Sequence, residues 1–171
     1  MEIQELVAEA MRKTGKTLAS AESCTGGLIA HKITALAGAS DYYRGGVVAY
    51  SNEVKECALG VRHATLEAHG AVSEETVREM VEGVRSRLGA DYAVATTGIA
   101  GPGGGTPTKP VGTVWIGVAS EQKTVAELLH LDGSRAEIAE QTCSIVLGEL
   151  LKMVNGVSIT PEKTQPVQKV L

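Results

Sequence analysis

The sequence predicts an α/β protein: a single-domain, three-layer α/β/α sandwich with a mixed β-sheet. Three observations carry this expectation. Short apolar runs of strand length alternate with amphipathic helical segments through the first half of the chain. Two apolar runs then follow one another directly, which sets an antiparallel hairpin beside strands joined through helices. The chain has 171 residues, 43% hydrophobic and 21% charged, enough for one domain with a sizeable core.

Each element has its own signal. Ile3, Leu6, Val7, Ala10 and Met11 recur at helical spacing over 2–14, and Gly15 follows as a stop. "TLASAES" (17–23) reads as a buried strand, and "CTGGLIAHKITAL" (24–36) resumes helical spacing through Leu28, Ile29, Ile33 and Leu36. After the loop "AGASDYYRG" (37–45), "GGVVAYS" (45–51) is a second strand. Ser51 or Asn52 caps a short helix, "NEVKECALG", closed by Gly60. "HATLEAHG" (63–70) is another helical piece. "SEETVREMVEGVRSRLG" (73–89) is the clearest helix, its Ser73, Glu74 and Glu75 suiting an N-terminus. A strand over 91–97 breaks into glycine. The runs 111–120 and 123–131 form a hairpin around "SEQK", and the last helix covers 134–155. The domain is therefore placed at 1–156. Residues 157–171 carry two prolines and no periodicity, and are expected to be a tail, disordered or docking on a neighbour.

Composition excludes several classes of function. Aromatic residues make up 3% of the chain and Phe is absent, so a stacking platform for single-stranded nucleic acid is not available. The net charge of −4 argues against a phosphate-tracking surface, and no nucleic-acid partner is expected. No apolar stretch approaches the length of a membrane span. Cys24, Cys57 and Cys143 cannot all pair and show no C-x-x-C spacing, which points to a reducing compartment and a cytoplasmic location. No pair of His residues has metal-ligand spacing with a third ligand nearby, so no zinc site is expected; no cofactor is expected either. A homodimer or higher homo-oligomer is the expected assembly, since two-fold dimers are the commonest.

Chemistry concentrates in three stretches. In "AESCTGG" (21–27), Ser23 lies at the C-terminal end of a strand, where ligand sites of open α/β sheets gather. Thr25, Gly26 and Gly27 follow as a source of unpaired N–H groups at a helix start, suited to an oxyanion or a phosphate. Ser23 reads equally as a plain helix cap. Cys24 is a rival nucleophile, but it needs a base, and none of the four His has a telling neighbour. In "YSNEVKE", Lys55 can serve as base if burial lowers its pKa, with Tyr50 placed to hydrogen-bond Ser23 or Lys55. A solvated helical lysine is the plainer reading. The third stretch, "TGIAGPGGGTPTKPVG" (97–112), offers an anion nest around Gly101, Gly103 and Gly104, with Thr106, Thr108 and Lys109 as further donors, or else a flexible connection. Arg44 and Arg135 are the remaining cations suited to a phosphate, or to the surface.

The stretches "AESCTGGLIA", "YYRGGVVAYSNEVKECALGV", "HGAVSEETVREM" and "TGIAGPGGGTPTKPVGTVWIGVA", in this order, resemble the CinA C-terminal family. The resemblance runs from about Leu18 to the last helix. It implies a nicotinamide-nucleotide amidohydrolase of the Ser/Lys type, which works without a metal. Such an enzyme converts nicotinamide mononucleotide (NMN) to nicotinate mononucleotide and ammonia, a step of pyridine nucleotide salvage. By this resemblance Ser23 is the nucleophile, Lys55 the general base and Tyr50 its partner, while Arg135 in "DGSR" is similar to a family arginine important for activity, although the acidic turn before it is shorter than usual. The family also has long members, with a molybdopterin-binding-like domain ahead of this unit. The present chain resembles the stand-alone form or that part of a longer one. A nucleotide-binding or competence-associated regulatory module, an amidase on another small amide, and a Cys24 hydrolase are the competing readings.

Overall fold

The structure, a computed structural model, describes residues 1–157. Its strands are Leu18–Glu22 (β1), Tyr43–Val48 (β2), Tyr92–Gly98 (β3), Thr113–Ala119 (β4) and Thr124–His130 (β5). Its α-helices are Ile3–Thr14 (α1), Leu28–Thr34 (α2), Asn52–Leu59 (α3), His63–His69 (α4), Glu74–Arg87 (α5) and Arg135–Val154 (α6).

All five residues of β1 are buried. A strand of this kind must be paired on both edges and covered on both faces. It pairs in parallel with β2 on one side and β3 on the other. β4 and β5 continue from β3 as antiparallel neighbours, giving the order β2-β1-β3-β4-β5. The expected mixed sheet is present. The two-residue period of the strands sorts their side chains between two apolar layers. Leu18, Val94, Val114, Ile116 and Val118 meet α1, α2 and α6 on one face. Ala19, Ala21, Ala93, Ala95 and Ala119 meet the helices α3 to α5 on the other. The small residues on this second face let α5 lie across several strands.

Close approach decides one helix contact. A Cβ on Gly83, in the middle of α5, would stand 1.9 Å from the Leu59 carbonyl oxygen at the end of α3. Glycine ordinarily weakens a helix interior by about 1 kcal/mol relative to alanine, but here it lets α3 and α5 touch. Gly83→Ala is expected to force the two helices apart and lower stability by about 1–3 kcal/mol, read as a fall in Tm on thermal denaturation. An unchanged Tm would mean that the helices are not held together at this point.

Two elements depart most from the sequence reading, the others by one or two residues at an end. β2 covers 43–48 rather than 45–51, because the chain leaves the sheet to let Ser51 cap α3, its Oγ accepting the Val54 N–H at 3.2 Å. α2 begins at Leu28 rather than at Cys24. Gly26 and Gly27 take left-handed φ of 59° and 101°, which no α-helix contains, so 24–27 form a turn. The expected tail over 157–171 lies, but for Val157, outside the described residues. No helix among the described residues is long and apolar enough to cross a membrane.

Candidate active site

The connections leaving β1 and β3 diverge: β1 leads through α2 to β2, while β3 leads to β4 on the opposite side. The crevice outside the C-terminal ends of two such strands is where α/β sheets bind ligands. A cleft of about 270 Å³ opens there. Ser23 and Cys24 reach it from the end of β1, Tyr50 from the passage between β2 and α3, and Asn52 and Lys55 from α3 itself. Thr97, Ile99, Gly101, Gly103 and Gly104 line it from β3 and the glycine loop, Ala71 and Val72 from the segment before α5, and Arg135 from α6.

Lys55 lies at the bottom of this cleft, 2% exposed. Its Nζ is 3.1 Å from Ser23 Oγ and donates to the Ala49 carbonyl at 2.8 Å. The Ser51 cap starts α3 so that Lys55 falls on its inner face. The Ala49 N–H donates to the Glu22 carbonyl at 2.8 Å, extending the β1–β2 pairing and fixing the carbonyl that holds the lysine. Burial pushes the Lys55 pKa down, and no ion pair among the described residues reaches it. Lys55 is thus a buried amine beside Ser23, not a solvated helical residue.

Burial shifts the neighbouring thiol the other way. Burial pushes Cys24 up to about 11, so at neutral pH it is a thiol rather than a thiolate. No histidine lines the cleft. No group of three or more His, Cys, Asp or Glu side chains among the described residues is arranged to hold a metal ion.

Several expected contacts fall elsewhere. Tyr50 is 59% exposed, and its hydroxyl accepts from the Arg135 guanidinium, not from Ser23 or Lys55. Arg135 also donates to the Gly101 carbonyl at 2.8 Å. Tyr50, Arg135 and Gly101 therefore form a bridge across the cleft mouth, and tyrosine stands at the rim rather than beside Lys55. Arg44 is exposed near the N-terminal end of β2 and does not line the cleft, which opens at the opposite end of this parallel strand. Thr25, Gly26 and Gly27 do not line it either. The Gly26 N–H is used by the Ser23 carbonyl at 3.0 Å. Thr25 and Gly26 border a second, more apolar cavity of about 630 Å³, which shares Cys24, Tyr50 and Arg135 with the first. Among the described residues, the N–H groups of Cys24 and Thr25 have no backbone acceptor.

The glycine loop is less free than a flexible connection. The Thr106 Oγ1 accepts the Lys109 N–H at 3.0 Å, and Lys109 Nζ donates to the His69 carbonyl at 2.9 Å. Lys109 and Thr106 thereby hold the loop in place instead of facing a ligand. Asn52, Thr97, Ala71 and Val72 were not singled out from the sequence. Asn52 had a signal, since it lies between Tyr50 and Lys55 in one motif, and Thr97 opens the glycine stretch. Ala71 and Val72 had none, because apolar residues at a loop carry no chemical mark.

The CinA C-terminal domain profile matches residues 1–154. The chain belongs to this family. It is 49% identical over 158 residues to a competence-damage inducible protein of Thermoanaerobacter pseudethanolicus, covering 92% of this chain and 38% of the relative. It is 46% identical over 154 residues to a CinA-like protein of Thermotoga maritima, covering 90% of this chain and again 38% of the relative. The chain thus spans about two fifths of the curated relatives it matches. Among solved structures, a CinA superfamily protein of Klebsiella pneumoniae superposes with a TM-score of 0.86 at 36% identity, covering 91% of this chain and 99% of that one. A competence/damage inducible protein of Agrobacterium tumefaciens gives 0.84 at 40% identity, covering 90% and 95%. The three-layer α/β fold of this CinA-family chain is shared with both.

Proposed function

We propose that this chain hydrolyses the carboxamide of NMN, giving nicotinate mononucleotide and ammonia, with Ser23 as nucleophile and Lys55 as general base. The observation that supports this most is the buried, uncompensated lysine amine 3.1 Å from a serine hydroxyl in a cleft at the strand ends. A serine is a weak nucleophile until a base takes its proton, and a lysine becomes such a base when burial favours its neutral form.

The steps are those of acyl transfer. Lys55 takes the Ser23 proton as Oγ attacks the amide carbon. The N–H groups of Cys24 and Thr25, at the border between the cleft and the second cavity, receive the oxyanion, each such donor being worth roughly 3 kcal/mol of barrier. Protonated Lys55 returns its proton to the leaving ammonia. Water then opens the acyl-enzyme, with the same lysine as base. The Arg135 guanidinium makes two contacts at the rim and keeps donors to spare for the substrate phosphate. Arg135→Ala is therefore expected to raise KM by about tenfold, a loss of about 1.4 kcal/mol, and to alter kcat less. Unchanged steady-state kinetics would remove it from the binding site.

The deciding experiment is ammonia release from NMN by the purified protein, with and without a chelator, beside a series of other small pyridine and aliphatic amides. Turnover of NMN that survives chelation is the expected result. Preference for another amide would move the substrate assignment but keep the chemistry. No turnover of any amide by folded protein, together with a rise in Tm on adding NMN, would favour a nucleotide-binding module.

A further inference from the structure

We infer that Glu22 is a positioning residue for the Ser23 nucleophile and its oxyanion donors. This inference rests on the Ser23/Lys55 reading. Glu22 is 1% exposed, and no ion pair among the described residues reaches it. A carboxylate buried without a cation is costly unless donors surround it. Three do. Oε1 accepts from Thr25 Oγ1 at 2.7 Å and from the Ile29 N–H at 2.9 Å, and Oε2 accepts from the Ala30 N–H at 3.0 Å. All three donors lie on the turn and helix that follow Ser23 directly.

The consequence is geometric. The backbone from Ser23 to Ala30 is drawn back around the side chain of the residue just before the nucleophile. Thr25 Oγ1 spends its proton on Glu22, so it accepts from Thr96 Oγ1 at 2.9 Å, which ties the turn to β3. The Ser23 N–H donates to the Thr96 carbonyl at 3.0 Å, so the same β3 residue holds the turn at two places. Ser23 and the Cys24 and Thr25 N–H groups therefore owe their directions to this carboxylate, which itself lies outside the cleft lining. A displacement near 1 Å at a reacting group can cost about a hundredfold in rate.

The test separates positioning from folding. In Glu22→Gln, one oxygen keeps its two contacts while an NH₂ group faces the Ala30 N–H. kcat for NMN is expected to fall at least about tenfold with KM within about threefold, in protein whose circular dichroism is unchanged. Thr25→Val keeps the carboxylate on the helix but cuts the tie to the turn and to Thr96, and it should lower kcat in the same way. If Glu22→Gln does not fold, Thr25→Val alone decides. Wild-type kcat in folded Thr25→Val, or a rise in KM without loss of kcat in either variant, overturns the inference.

A second readout does not depend on NMN. A fluorophosphonate labels an activated serine: Ser23 Oγ bonds to phosphorus, fluoride leaves and Lys55 takes the proton. The labelling rate of Ser23, followed by mass spectrometry, should fall at least about tenfold in both variants. If wild type is labelled but does not turn over NMN, the substrate reading fails and the labelling rates still decide the role of Glu22. If wild type is neither labelled nor active, the nucleophile assignment and this inference fall together.

Discussion

Ser23→Ala is expected to abolish measurable ammonia release from NMN, a loss of at least about a thousandfold, while the protein keeps its Tm within a degree or two. The reason lies in the placement of the side chain. Ser23 is 8% exposed and directed to a cleft, and among the described residues its hydroxyl hydrogen-bonds one side chain, that of Lys55. Deleting one oxygen there leaves no cavity in either apolar layer and no orphaned partner, since Lys55 keeps the Ala49 carbonyl. Cys24→Ala is the control that gives the result its meaning. The thiol at about 11 is protonated at working pH, so its loss should change kcat by no more than a few-fold. The opposite outcome, a mild Ser23→Ala and a dead Cys24→Ala, would overturn the serine mechanism. Both variants are checked by steady-state ammonia release and by thermal denaturation on the same preparations.

Local patterns made the fold legible. The apolar runs of 18–22 and 92–98, the hairpin signal at 120–123 and the Ser73 and Gly15 helix boundaries all express forces acting within a few residues. The two chemical groups were legible as well, because Ser23 ends a strand and Lys55 follows a cap. What brings them within 3.1 Å is not local. It is the parallel register of β1 and β2, Glu22 against Val48, which places two turns separated by 32 residues at one sheet edge. The same register carries Arg44 away, since it lies toward the other end of its strand. The misplacements share a cause: each assigned a partner by proximity in sequence. Tyr50 is five residues from Lys55 but bonds to Arg135, 85 residues on. The glycines at 26 and 27 looked like a helix start, yet the first helical N–H groups were already claimed by Glu22. A buried acid just before Ser23 has no sequence signature that separates it from a strand-end residue facing water.

Lys55→Met is expected to lower kcat by about a hundredfold to ten-thousandfold, the range that a general base supplies, while NMN binding measured by calorimetry changes little. Lys55→Arg should be as inactive, because a guanidinium does not give up its proton at any working pH. The wild-type profile should carry the same signature. Burial lowers the Lys55 pKa, and the neutral amine is the active form, so kcat/KM should fall as pH drops through the lowered value. A flat profile from mildly acidic to alkaline pH would exclude a lysine base.

The stability of the protein must respond in a linked way. The unfolded lysine titrates near pH 10.4, whereas the folded one loses its proton earlier. Between those two values the unfolded chain binds the extra proton, so wild-type stability rises with pH relative to Lys55→Met across that window. Below the folded pKa the penalty is at its full size and no longer varies. Denaturant unfolding of both proteins from about pH 6 to about pH 10 measures the difference directly. A gap that stays constant would mean that the amine is charged in the folded state, and a charged amine cannot take the Ser23 proton. The same burial that lowers the Lys55 pKa therefore costs the fold stability at neutral pH, and the size of the pH-dependent gap measures how far the amine has been shifted toward a base.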